Sequence, residues 1–72
     1  MQMERQRGRV VLLMEPKKCG FIQSDDDSED LFFHVTGLKN ARFDELAVGT
    51  VVTFVEVGNA KGRRAEDIEV ER

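Results

Sequence analysis

Tryptophan and tyrosine are absent from the 72 residues, and histidine, cysteine and proline occur once each. A lone cysteine, Cys19, cannot close an internal disulfide and offers no metal-ligand spacing, which points to a reducing, cytoplasmic setting. One histidine, no tyrosine, and two serines (Ser24 and Ser28) flanked by acidic residues leave no base beside a nucleophile. The glycines form no phosphate-cradling loop, and the acidic run Asp25–Asp30 lacks the sixth-position glycine and twelfth-position glutamate of a calcium loop. Neither an enzyme nor a metal, cofactor or small-molecule substrate is therefore expected. The longest apolar run, Val10–Met14, is far below the ~20 residues of a membrane span, and no charged start precedes a long apolar stretch. No membrane partner and no secretory signal are expected.

Hydrophobic residues make up 40% of the chain and charged ones 35%, the balance of a folded domain rather than a disordered segment. At this length there is room for one domain, which buries only about 60% of its unfolded surface and leaves little material for a deep pocket. The formal charge is −3, from 11 basic and 14 acidic side chains. Those charges are unevenly placed: Arg5, Arg7 and Arg9, Lys17-Lys18, and Lys61 to Arg64 are basic clusters, whereas Asp25 to Asp30 and Glu66 to Glu71 are acidic. A fold could gather the basic groups on one face despite the net sign.

Five short apolar segments separated by turn residues predict an all-β chain. They run Arg9 to Met14, Cys19 to Ser24, Leu31 to Val35, Thr50 to Val57 and Arg63 to Val70, with Pro16 in the first turn. In the third, Leu31, Phe33 and Val35 share one side while Phe32 and His34 share the other. In the fourth, Val52 and Phe54 face inward, and Glu56 on the same parity calls for a bulge before Val57 or a place where a barrel opens. The stretch from Thr36 to Gly49 has no strand character, with a short helical turn predicted around Arg42 to Leu46. Five strands with a long third connection suit a five-stranded antiparallel Greek-key barrel of the OB type, although an SH3-like barrel has a similar strand count.

Lys17-Lys18-Cys19-Gly20-Phe21-Ile22, followed by Asp30-Leu31-Phe32-Phe33-His34-Val35, resembles the two ribonucleoprotein motifs of the cold-shock domain family. Gly8-Arg9-Val10, Phe43, Gly49, Val52-Thr53-Phe54 and Ala60-Lys61-Gly62 fall in the family's order, so the resemblance covers residues 8–70 of a single domain over 1–72, with 1–7 a basic N-terminal arm. It implies an OB-fold that binds single-stranded RNA or DNA and acts as an RNA chaperone. Unpaired bases stack on outward aromatic rings while basic side chains track the phosphates. Carried over residue by residue, Phe21, Phe32 and His34 match stacking positions, Phe43 matches a loop aromatic, and Lys17 and Lys61 match basic positions. Lys18 adds a charge where the family has glycine, and Arg63 and Arg64 are further phosphate candidates. Phe43 has an equal alternative, to plug the long connection onto the barrel, and Phe33 and Phe54 read as core.

The departures from the pattern fall on the same face. Leu12 and Leu13 stand where the family has tryptophan and phenylalanine, Val11 where it has lysine, Cys19 where it has phenylalanine, and Val35 where it has an aromatic. Leu12 can still contact a base. Each lost base–aromatic stack is worth ~1–3 kcal/mol, so weakened binding is expected. The alternative reading turns the former binding face, with Leu12, Leu13, Cys19 and Val35, into an apolar patch for a protein partner or weak self-association.

Overall fold

A computed structural model describes residues 5–25, 30–59 and 62–71. Five strands follow in order: β1 (Gln6–Met14), β2 (Cys19–Ser24), β3 (Asp30–His34), β4 (Val51–Asn59) and β5 (Gly62–Val70). They close into a barrel in the spatial order β1-β2-β3-β5-β4, antiparallel except for the parallel β3–β5 contact. Closure removes the exposed edges that a short sheet would otherwise present. The all-β expectation holds, and β2 has the bounds read from the sequence. The long connection carries two single turns of 3-10 helix, Val35–Gly37 and Phe43–Glu45.

Alternation fills the interior. Val10, Ile22, Leu31, Phe33, Val52, Phe54, Ala65 and Ile68 are buried in one cluster, as period-two patterning from five strands requires. Gly20 lets two layers approach: a methyl group there would collide with the Leu12 carbonyl oxygen and the Phe33 ring. Bulges correct the parity in two strands. Val10 pairs with Ile22 but Leu12 pairs with Phe21, so Val11 is the extra residue in β1 and the chain beyond it switches faces. On the other side Thr53 pairs with Glu69 and Val55 with Glu66, which puts the extra residue in β5, where Asp67 adopts the left-handed φ of 53°. β4 keeps a regular register against β1 from Val51 to Phe54. Glu56 is half-buried and partnered: its carboxylate accepts from Gln6 Nε2 at 3.1 Å and pairs with Arg63 at 2.8 Å. The buried Ser24 hydroxyl donates to Gln6 Oε1 at 3.2 Å and extends this polar network.

Of the expected basic arm, residues 1–4 lie outside the described residues, and residues 5–7 are no free arm. Gln6 and Arg7 already belong to β1, and Arg5 is bound across the barrel wall. Its guanidinium donates to the Asp67 carboxylate at 3.1 Å, the Asp67 carbonyl at 2.7 Å, and the Thr53 carbonyl and hydroxyl at 3.1 and 3.0 Å. Arg7 makes a two-pronged contact with Glu71 at 2.9 and 3.0 Å. Strand pairing places these arginines beside the acidic tail of β5, so the opposite charges satisfy each other. Arg5→Ala removes the clamp on the Asp67 bulge, with an expected loss of about 1 kcal/mol and a Tm fall of roughly 4–8 °C. An unchanged Tm in a thermal melt followed by circular dichroism would contradict a stabilising role.

Candidate nucleic-acid interface

The β1 bulge is what builds the outer face. Without it Leu12 would share the inward parity of Val10; with it Leu12 turns outward, 46% exposed, opposite Phe21. Phe21 in turn pairs with Phe32, and Phe32 with Arg64. The result is one row, Leu12–Phe21–Phe32–Arg64, running across four strands. The Phe21 and Phe32 rings pack edge-to-face with centroids 5.9 Å apart and an interplanar angle of 75°. Phe32 keeps 38% of its surface in solvent, and Phe21 is half-buried. One pleat along, His34 is exposed; its Nδ1 accepts from the Thr36 amide at 3.3 Å and lies 3.1 Å from the Thr36 hydroxyl, which fixes the ring. Alternation along β3 dictates this split: Leu31 and Phe33 are buried while Phe32 and His34 are not.

Several expected members of the face are elsewhere. Phe43 is 5% exposed and belongs to the core, because Phe43 and Leu46 are the apolar anchors that hold the long connection to the barrel. Too little of its ring is open to stack a base, and the plugging alternative is what the fold adopts. Lys18 lies at the rim with its Nζ 5.7 Å from the centre of that ring, at a left-handed φ of 55° suited to glycine. Cys19 is buried opposite His34, so it adds nothing to an open apolar patch, and Leu13 and Val35 are half-buried against the core. Lys17 is exposed in the β1–β2 turn. Lys61 lies outside the described residues.

The basic rim is largely neutralised. Arg63 pairs with Glu56 at 2.8 Å, Arg64 with Glu66 at 2.7 Å, and Arg42 with Asp44 at 2.8 Å. The Arg42 hydrogen bond holds the Asp44 carboxyl below its ordinary range, so this pair persists until the pH falls through that lowered value. Lys17 and Lys18 are both exposed, and the Lys18 charge also helps to lower the Asp44 carboxyl across the Phe43 ring. Sequence reading missed Glu66 and Thr36 as neighbours of the row. For Glu66 the signal was present, since Arg64 and Glu66 are two apart on one strand and must share its outward side. Phe32, His34, Thr36, Gly37, Arg64 and Glu66 line a shallow cleft of about 530 Å³ beside the row.

The chain as a whole has counterparts among known proteins. A family profile described as the 'Cold-shock' DNA-binding domain matches residues 6–71. Glycine-rich protein 2 of Nicotiana sylvestris is 39% identical over 66 residues, which are 90% of this chain but 31% of that protein. The major cold shock protein CspA of Pseudomonas aeruginosa is 35% identical over 66 residues, 92% of this chain and 94% of that one. The chain therefore spans about a third of the plant relative and nearly all of the bacterial one. Among solved structures, drosophila Unr CSD456 superposes with a TM-score of 0.79 at 24% identity, over 96% of this chain and 27% of the other, a likeness of fold. A profile that runs from the first strand to the last, and a barrel whose second and third strands carry the Phe21, Phe32 and His34 face, make this chain a member of the cold-shock domain family.

Proposed function

We propose that the chain binds single-stranded RNA or DNA by stacking unpaired bases on Phe21, Phe32 and His34, with Leu12 as an aliphatic extension of the platform. The observation that carries this reading is the solvent-facing row Leu12–Phe21–Phe32–Arg64 with His34 beside it. Bases present π-faces that such rings receive without regard to sequence. Lys17 and Lys18 meet phosphates at the rim, and Lys61 is a further candidate by its place in the sequence. Binding the unpaired strand draws weak RNA secondary structure open by mass action, with no nucleotide hydrolysis and no cofactor. With Leu12 in place of a ring and Phe43 withdrawn into the core, affinity is reduced relative to a face with a full set of aromatics.

The competing reading, a protein-binding patch, needs a continuous dry surface. Cys19 is buried, and Leu13, Val35 and Phe21 are half-buried. Leu12 and Phe32 are the large hydrophobics of this face that are mainly exposed, a smaller apolar surface than the ~800 Å² per partner of a stable interface.

The test is a fluorescence-anisotropy titration of a labelled seven-base pyrimidine strand with reductant present; the label sits on the strand because the protein has no tryptophan. Saturable binding is expected. With Lys17 and Lys18, alone or with Lys61, meeting phosphates, the slope of log K against log salt is expected between about −1.4 and −2. A slope of roughly −4 or steeper would mean that the arginine–carboxylate pairs open to phosphate. No binding at low salt by a folded protein sinks the nucleic-acid reading.

A further inference from the structure

A carboxylate is an unfavourable neighbour for a polyanion, yet Glu66 sits in the cleft beside Phe32 and His34. Its partner Arg64 offsets the charge through an Nε–Oε2 contact of 2.7 Å. Nε is one of five guanidinium donors, and a carboxylate has about four lone-pair sites, so both groups retain hydrogen-bonding capacity beyond their own pair. The other oxygen, Oε1, faces Gly37: a methyl group at Gly37 would lie 3.6 Å from it. Glycine at 37 sets no side chain against that oxygen, and both residues line the cleft. Phe32 and His34 on β3 and the Arg64–Glu66 pair on the neighbouring β5 line one space of about 530 Å³, which can hold one base.

We propose that this cleft is a guanine-selecting subsite, in which Glu66 reads the Watson–Crick edge of a base stacked against Phe32 and His34. The proposal rests on the nucleic-acid reading above. Guanine presents two adjacent donors, N1–H and the N2 amino group, which match the two oxygens of one carboxylate. Its O6 lies next to them as an acceptor for the Arg64 guanidinium. Uracil and thymine offer a single N3–H between two carbonyl oxygens, and those oxygens face the carboxylate with like partial charge. Adenine and cytosine place one amino donor beside an acceptor ring nitrogen, so only half of the match is made. The ranking that follows is guanine first, cytosine and adenine between, uracil and thymine last.

The experiment is an anisotropy competition among seven-base strands of uracil carrying a single central guanine, inosine or uracil, at one salt concentration. Placing guanine at the centre is expected to tighten binding by about tenfold over the all-uracil strand, the discrimination of one good bidentate base contact. Inosine, which lacks the N2 amino group, is expected to lose most of that gain. Glu66→Ala is expected to abolish the difference between the guanine and uracil strands. Equal affinity for both strands in the unmodified protein, or an undiminished guanine preference in Glu66→Ala, overturns the proposal. Should Glu66→Ala fail to fold, the inosine strand decides on the unmodified protein: an affinity equal to that of the guanine strand overturns the proposal, and one near the uracil strand supports it. Binding without base ranking refutes the guanine subsite alone, whereas no binding of any strand refutes the nucleic-acid reading and the subsite with it.

Discussion

Phe32→Ala is expected to weaken binding of a short single strand by roughly 10- to 100-fold while leaving the barrel folded. One base–aromatic stack is worth ~1–3 kcal/mol, and Phe32 presents the more accessible of the two phenylalanine rings on the face. Its edge-to-face contact also holds the Phe21 ring, so truncation degrades two platforms together, and the double variant Phe21→Ala/Phe32→Ala should show less than additive loss. Stability should change little, because the ring is partly solvated and outside the buried cluster. The check is an anisotropy titration run beside a thermal melt. Unchanged affinity with an intact fold would place binding elsewhere on the molecule.

Phe33→Ala, one residue along the same strand, is expected to do the opposite. Phe33 is fully buried and packs among residues from the other strands, over the close approach that Gly20 permits. Phenylalanine-to-alanine truncation in a core costs ~3–5 kcal/mol. Small domains have total stabilities at the low end of roughly 5–15 kcal/mol, so most of the folded margin would be lost. Urea denaturation should show a collapse of the midpoint or no folded baseline at room temperature. A loss below about 1 kcal/mol would contradict the placement of Phe33 at the centre of the core. The two substitutions together separate a ring that supports the fold from a ring that supports binding.

The opposed roles of these neighbours were legible in the sequence because strand alternation is strict and Leu31-Phe32-Phe33-His34 sits inside one regular strand. The same regularity recovered β2 residue by residue. Where the pattern broke, legibility ended. β1 begins at Gln6 rather than Arg9, because Gln6, Arg7 and Gly8 have no strand-like composition and are held by pairing with β2 and β4. The two bulges leave no composition signal, yet the one at Val11 decides that Leu12 faces solvent, a position that only the family resemblance supplied. Phe43 lies in a connection without periodicity, so nothing local distinguished a stacking ring from a plug. The pairing of Arg5 and Arg7 with Asp67 and Glu71 joins residues more than 60 positions apart, which no local reading of charge can anticipate.

The most direct test of the stacking face is an amide chemical-shift titration of the isotopically labelled protein with the seven-base pyrimidine strand. The largest shifts are expected at Phe21, Phe32, His34 and Arg64, with smaller ones at Lys17 and Lys18 and negligible ones at Arg5, Arg7 and Glu69. Shifts concentrated around Arg5, Arg7 and the β5 tail, or none at saturating strand, would contradict a stacking face on β2 and β3.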